Sequence, residues 1–234
     1  QVVVPYCGVT LDEITGLTQD AIFSRGPKGV KATGIFIGGR DVILAADMLD
    51  AARKAMVPPF EVSVIADPSG SYTTAAALVA CVEQLLRSAH GTDFAGKEVL
   101  ILGGTGTVGR IAGVLAAGLG ARVVLGSHRD QANAEKAAAE TAARFGCELR
   151  GAGTGSAEAR RAALAGADVV LATAAAGVQV MSADDVAGAA RLLVAADVNA
   201  VPPEGIAGVG VMDKGKPIAG TLAVGIGALA VGNV

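Results

Sequence analysis

Residues 102–110 read "LGGTGTVGR", and Gly104, Gly106 and Gly109 keep the spacing GxGxxG. That spacing carries chemistry in one context, between the end of a strand and the start of a helix. Here the apolar run "EVLIL" precedes it and the small-residue run "GRIAGVLAAGLG" follows. In such a place Gly104 permits the tight turn, Gly106 lets a pyrophosphate approach the backbone, and Gly109 lets helix and strand pack closely. Thr105, Thr107 and Val108 complete the loop, and the helix amino end faces the anion. The competing reading is a turn that binds nothing in a chain with 33 glycines; the strand-to-helix context favours a dinucleotide.

About 20 residues past such glycines an NAD site usually places an acid that bonds the ribose hydroxyls. This chain has "GSHRDQ" there: Ser127, His128 and Arg129 hold the position and Asp130 comes late. A guanidinium at Arg129 forms charge-assisted bonds with a 2′-phosphate, which Ser127 can also approach. NADP is therefore the favoured cofactor, with NAD possible. His128 has an equal alternative as a solvated residue at a helix start.

A second polar group lies in "ADPSGSYTTAAA", residues 66–77, where Asp67, Ser69, Gly70, Ser71, Thr73 and Thr74 gather between a strand and a helix. Open α/β sheets bind ligands at such strand ends. Helix capping by Ser71 or Thr73 and an ordinary turn at Asp67 and Pro68 explain the same residues equally well. Asp20 and Arg25 in "TQDAIFSRGP" form a further polar pair, for which simple exposure is the alternative.

The missing chemistry is informative. His90 and His128 are the only histidines, neither is placed as a paired general base, and no metal-ligand spacing or GxSxG elbow occurs. A reaction without a strong acid or base is implied. Hydride transfer from a carbon flanked by nitrogens qualifies, because their lone pairs stabilise the developing cation and leave orientation and electrostatics to the protein.

The elements that must hold these residues follow from the alternation of Val- and Ile-rich runs with amphipathic stretches, which predicts an α/β fold with parallel strands. "QVVVPY", "ATGIFIGG" and "FEVSVIADP" read as strands. "TLDEITGLTQDAIF" and "DVILAADMLDAARKAM" read as helices, with Asp12 and Asp41 at their starts, and a further helix runs from about Tyr72 to Ser88. The polar "AHGTDFAGKE" then marks a boundary. The strands "EVLIL", "ARVVLGS", "CELRGAG", "DVVLATA" and "RLLVAADVNA", with intervening helices, describe a doubly wound, Rossmann-type NAD(P)-binding domain. The expected organisation is an amino-terminal α/β domain over 1–90, the nucleotide domain over 91–223, and a segment over 224–234 returning toward the first domain.

Bulk properties narrow the class. The chain has 234 residues, 52% hydrophobic and 18% charged, enough for two compact domains or one large one and too apolar for disorder. No uninterrupted apolar run reaches membrane-spanning length. A net charge of -3, no basic run and 3% aromatics exclude a nucleic-acid binder. Cys7, Cys81 and Cys147 form no CxxC pair and are odd in number, which suits a reducing cytoplasm. "QVVVPYCGVT" is no signal peptide, and its opening Gln suggests a missing native start.

Six blocks in order, "TGIFIGG", "VPPF", "ADPSGSYTTAAA", "LGGTGTVG", "AADVNAVPPEGIAG" and "GIGALAVGNV", carry a likeness over essentially the whole chain. By these the sequence resembles the NAD(P)-dependent methylene-tetrahydromethanopterin dehydrogenases. The resemblance implies oxidation of methylene- to methenyl-tetrahydromethanopterin with hydride passing to NADP or NAD, in a cleft between a pterin-binding amino-terminal domain and the nucleotide domain. It also implies a cytoplasmic homo-oligomer, a trimer or hexamer. Asp20 and Arg25 match the family's "DxIxxR" segment and "DPSGSYTT" its cleft-lining loop. Thr173, Ala174 and Ala175 match the loop beside the nicotinamide, and Asp197 and Asn199 match the next strand end, where the resemblance implies catalytic or substrate contact. The family pattern continues past "GNV" with a lysine at the substrate site and a helix, so a native enzyme longer than this chain is expected. Lys214 and Lys216 in the loop "MDKGKP" are no substitutes. Methylene-tetrahydrofolate dehydrogenase is the rival within the class, although Tyr6 and "CGVTLDEI" lack the YxxxK-like arrangement of bifunctional folate enzymes, which argues against a hydrolytic step. A non-enzymatic NADP-binding redox sensor is the rival outside it.

Overall fold

Short β-branched runs at residues 34–37 and 63–66 find each other early in the chain. The computed structural model, which describes residues 2–233, pairs β1 (Gly34–Ile37) with β2 (Ser63–Ala66) in parallel, Gly34 beside Ser63 and Ile37 beside Ala66. Three helices accompany them: α1 (Ile14–Phe23), α2 (Gly26–Val30) and α3 (Val42–Ala55). Asp41 starts α3 as expected, its carboxylate accepting from Ile43 and Leu44 N–H at 2.9 and 3.0 Å. Asp12 lies in a 3-10 turn, Leu11–Glu13, that precedes α1 and is closed by Glu13 accepting the Thr10 N–H at 2.7 Å. Ile22, Val30 and Val62 form the core here, with Ile35, Met56 and Phe60 against them.

The expected first strand is absent. Residues 2–6 have no regular structure, and Val2, Val3 and Val4 are largely exposed. β-branched residues favour a strand only where a partner and a face to bury exist, and this stretch has neither. Gln1 and Val234, the outer ends of that strand and of the 224–234 segment, lie outside the described residues.

The chain divides into two units, Gln1–Gly70 and Ser71–Val234. The division falls before α4 (Ser71–His90), twenty residues earlier than the boundary expected at 90 and 91. The reason is packing: the stripe Leu78, Val79, Val82 and Leu86 is buried, and α4 lies on elements of the second unit. His90 closes α4 by hydrogen-bonding the Leu193 carbonyl at 2.9 Å, a structural task for a histidine at a helix end.

The second unit is built on seven strands: β3 (Glu98–Leu102), β4 (Arg122–Ser127), β5 (Arg150–Gly153), β6 (Val169–Ala172), β7 (Val194–Asp197), β8 (Lys214–Pro217) and β9 (Val224–Ile226). Their order is β5-β4-β3-β6-β7-β9-β8, all parallel except β8. This is the Rossmann arrangement with one antiparallel edge strand added. Between the strands run α5 (Thr107–Gly118), α6 (Gln131–Phe145), α7 (Ala157–Leu164) and α8 (Ala183–Gly188), and α9 (Ala228–Val231) follows β9. β6, buried at every position, reads as an unbroken apolar run because both sheet faces are covered, and β7, equally buried, breaks its run only at Asp197.

Two departures concern the far edge. The last four residues of "MDKGKP" are strand β8 rather than a loop, with Lys214, Lys216 and Pro217 where an edge tolerates charge and a missing N–H. Residues 224–226, expected in a returning segment, instead sit between β7 and β8 in the main sheet. At the amino ends of the strands, Glu98 pairs with Arg122 at 2.5 Å and Arg150 at 2.6 Å, and Asp168 pairs with Arg191 at 2.9 Å. The carboxyl ends lie at the opposite edge, where the strand order reverses between β3 and β6.

Candidate functional site

The glycine loop leaves β3 at that switch point. Gly103, with φ of +78°, makes the turn that Gly104 was expected to make. Gly104 serves close packing instead, since a Cβ there would lie 2.7 Å from the Ile101 carbonyl oxygen and 2.8 Å from Leu125 Cα on β4. A Cβ on Gly109 would come within 2.7 Å of Gly104 Cα and of Thr173 Oγ1. Gly106 differs: it is exposed, caps α5, and its added Cβ would meet only two backbone carbonyl oxygens, the nearer at 3.3 Å. The first-turn N–H groups of Thr107, Val108 and Gly109 have no carbonyl one turn behind them within the helix. The exposed Gly106 and the positive end of a twelve-residue helix fit a pyrophosphate. Thr105 contributes its carbonyl to holding the loop, accepting from Arg110 Nε at 3.2 Å.

At the end of β4, Ser127 is fully buried. Its hydroxyl donates to Asn133 Oδ1 at 3.0 Å and accepts from the Arg129 N–H at 3.2 Å, so it supports the turn from inside. The side chains of His128 and Arg129 are exposed, with no hydrogen bond or ion pair among the described residues. Asp130 turns into α6, accepting the Asn133 N–H at 2.7 Å as its cap. The acid that follows β4 is thus occupied, and a guanidinium stands beside it. Thr154, after β5, braces the turn through its N–H to the Ser127 carbonyl at 2.7 Å.

The β6 and β7 loops complete the edge. Thr173 donates from N and Oγ1 to the Leu102 carbonyl at 2.8 and 3.2 Å, which holds it against the glycine loop. Ala174 follows so closely that a Cβ on Gly103 would lie 2.7 Å from its N, and Ala175 is exposed. Asp197 ends β7, 1% exposed, and accepts from the N–H groups of Asn199 at 2.9 Å, Gly205 at 2.6 Å and Ile206 at 3.2 Å. Burial raises its pKa; the three N–H donors oppose this, and Glu204 adds to it. Asn199 is buried beside it.

In the first unit, Asp20 is exposed on α1 and Arg25 exposed at the start of α2, with no ion pair joining them among the described residues. Asp67 follows β2, its N–H donating to the Ile37 carbonyl at 3.0 Å. Ser69 holds a left-handed backbone, φ 55°, and donates to the Gly39 carbonyl at 2.8 Å, while Gly70 has φ of +67°. A non-glycine residue held in this region is strained and marks a constrained turn. Ser71 is buried at the start of α4, with Thr73 exposed and Thr74 partly so. The block is therefore split by the chain's division, Asp67 to Gly70 ending one unit and Ser71 to Thr74 opening the other. Among the described residues no group of three or more His, Cys, Asp or Glu could hold a metal ion, and no helix is long and apolar enough to cross a membrane.

Over all 234 residues the chain is 48% identical to the NAD(P)-dependent methylenetetrahydromethanopterin dehydrogenase of Methylorubrum extorquens AM1, spanning 79% of that protein. The chain belongs to this dehydrogenase family. Residues 1–69 match the family model for the amino-terminal domain of methylene-tetrahydromethanopterin dehydrogenase. A second relative from the same organism, the bifunctional protein MdtA, is 36% identical over 230 residues, 98% of this chain and 77% of the relative. Among solved structures the chain is similar to dipicolinate synthase, A chain, from Bacillus subtilis, at 15% identity and a TM-score of 0.49, covering 97% of this chain and 64% of that one.

Within this dehydrogenase, two contributors escaped the sequence reading. Gly103 was legible as a second glycine beside the motif, but the motif's spacing alone does not say which glycine turns the chain. Arg110 reaches from the first turns of α5 to Thr105 and to Glu140 on α6, 3.3 Å away, clamping the glycine loop. Its signal was a lone cation directly after the last motif glycine.

Proposed function

We propose that this chain oxidises methylene-tetrahydromethanopterin to methenyl-tetrahydromethanopterin, with hydride passing to NADP in preference to NAD. The observation that carries the cofactor half is the glycine loop at the switch point, followed at the end of β4 by a free guanidinium on Arg129 and a capped Asp130. Identity of 48% with the dehydrogenase so named supports the pterin half. The first-turn N–H groups of α5 hold the pyrophosphate, Arg129 the 2′-phosphate, and Thr173 to Ala175 lie along the nicotinamide. When bound, the dinucleotide supplies the hydride acceptor. Asp67, Ser69 and Gly70, with Asp20 and Arg25, are the first unit's groups for orienting the pterin so that its reacting carbon is held in place, and Ser71, Thr73 and Thr74 are those of the second. No protein base is needed, because the substrate's own nitrogens carry the charge that develops. The assembly is a cytoplasmic homo-oligomer, trimer or hexamer, which light scattering on the purified protein checks.

The test is turnover of methylene-tetrahydromethanopterin followed by absorbance, with NADP and NAD in parallel and methylene-tetrahydrofolate as control. Faster reduction with the methanopterin substrate is expected; equal or better turnover of the folate would reassign the substrate. Asp67→Ala is expected to lose turnover while keeping NADP affinity. Tight NADP binding without turnover of either pterin would favour a sensor.

A further inference from the structure

The loop after β6 runs from Thr173 to Gly177 through three alanines, none of which has a polar side chain to anchor itself. Its position depends on its two ends. The near end is tied to the glycine loop by the two hydrogen bonds from Thr173 to the Leu102 carbonyl. The far end turns at Gly177, φ +75°, whose N–H donates to Asn199 Oδ1 at 3.0 Å.

Asn199 is built for that task. The same Oδ1 accepts the Val201 N–H at 2.9 Å, and Nδ2 donates to the Pro203 carbonyl at 2.8 Å. Its backbone is in turn held by Asp197, whose carboxylate also fixes Gly205 and Ile206. Gly205 cannot bear a side chain, since a Cβ there would lie 2.6 Å from Asp197 Oδ1. The loop from 199 to 206 is thus a rigid hook that grips Gly177, and residues 180 and 181 bond the Gly205 carbonyl at 2.8 and 3.0 Å beside it. The nicotinamide half of a dinucleotide lies over the carboxyl end of β6 in this topology.

We propose that Asn199, held by Asp197, is a positioning residue that sets the 173–177 loop for the nicotinamide, and that neither side chain touches the reacting groups. This rests on the dehydrogenase reading and replaces the substrate-contact role expected from the family pattern. Both polar side chains are engaged by backbone groups, as the role requires.

Two ligands on the full chain separate this role from general support. NADP covers the whole site, whereas adenosine 2′,5′-bisphosphate lacks the nicotinamide half. Asn199→Ala is expected to weaken NADP about tenfold, the effect of one lost buried hydrogen bond or two, and to leave adenosine 2′,5′-bisphosphate within about twofold. With the pterin, kcat/KM is expected to fall about a hundredfold, as misplacement from outside the reacting groups does. Unchanged NADP affinity and turnover would overturn the proposal, and so would equal weakening of both ligands, which marks a merely structural residue. Asn199→Asp keeps an acceptor toward Gly177 and Val201 and is expected to fall between; if the alanine variant does not fold, the same ligand pair on this variant decides. Should the unsubstituted protein bind NADP yet oxidise no pterin, the dehydrogenase reading fails while the ligand comparison still reports on the loop.

Discussion

Arg129 and Asp130 stand side by side at the end of β4 with opposite charges and different partners. Asp130 is taken up by the amino end of α6, so its charge is balanced by the helix, while the guanidinium faces solvent. Arg129→Ala is therefore expected to raise KM for NADP about tenfold or more and to leave KM for NAD nearly unchanged, read from parallel initial rates. Asp197 presents a different electrostatic case. Its folded pKa is raised by burial, so the folded state holds its proton more tightly than the unfolded chain does. Its contribution to stability is complete below the ordinary value of 3.8 and is lost as pH rises through the raised folded value. Urea denaturation across the acid range is expected to show this slope in the native chain and not in Asp197→Asn, the difference between the two curves isolating the one group.

Elements meet closely at the glycine loop. Gly104 is pressed against the backbone of β3 and β4, where nothing can swing aside, and Gly109 against Gly104 Cα and the Thr173 hydroxyl. Gly104→Ala must push α5 away from β4, and an overpacking loss of about 2 kcal/mol in urea-melt stability is expected, with loss of NADP binding. Gly106→Ala, by contrast, brings its methyl to 3.3 Å from the Gly103 carbonyl oxygen, which a shift of a few tenths of an ångström relieves; it is expected to weaken NADP with a smaller change in the melt than Gly104→Ala, because its methyl stands where the pyrophosphate approaches. On the far side of the sheet, α7 and α8 are joined by buried Asp185, paired with Arg160 at 2.9 Å. Burial acts to raise the pKa of Asp185, yet donors from Ser182 and the Arg160 cation together bring it below its ordinary value.

For the whole molecule, the decisive element is α4. Its apolar stripe is buried with the nucleotide-binding sheet, and His90 ties its end to the start of β7. Among the described residues the first unit has two strands, β1 and β2. Two-stranded sheets are marginal, and chains of this size bury little surface. Residues 71–234 expressed alone are therefore expected to unfold cooperatively and to retain adenosine 2′,5′-bisphosphate binding. Residues 1–70 alone are expected to show weak helical circular dichroism and no cooperative transition.

The alternation of apolar strands with amphipathic helices, the glycine loop in its strand-to-helix setting, and the arginine past β4 were all legible in the sequence, because each rests on local spacing or on residue type. Family membership was legible too, through six ordered blocks. Other features are fixed by partners distant in the chain. Residues 2–6 have strand propensity without a partner, and β8 and β9 become strands only by pairing with each other and with β7. Helix α4 reads equally well as the end of one unit or the start of the next until its buried stripe meets the second sheet. Which glycine turns the chain depends on how closely β4 approaches. Asp197 and Asn199 read as polar residues at a strand end, the usual mark of ligand contact. Only the folded loops show that their hydrogen-bonding groups face backbone N–H and carbonyl groups up to 22 residues away, the arrangement from which their positioning role is inferred.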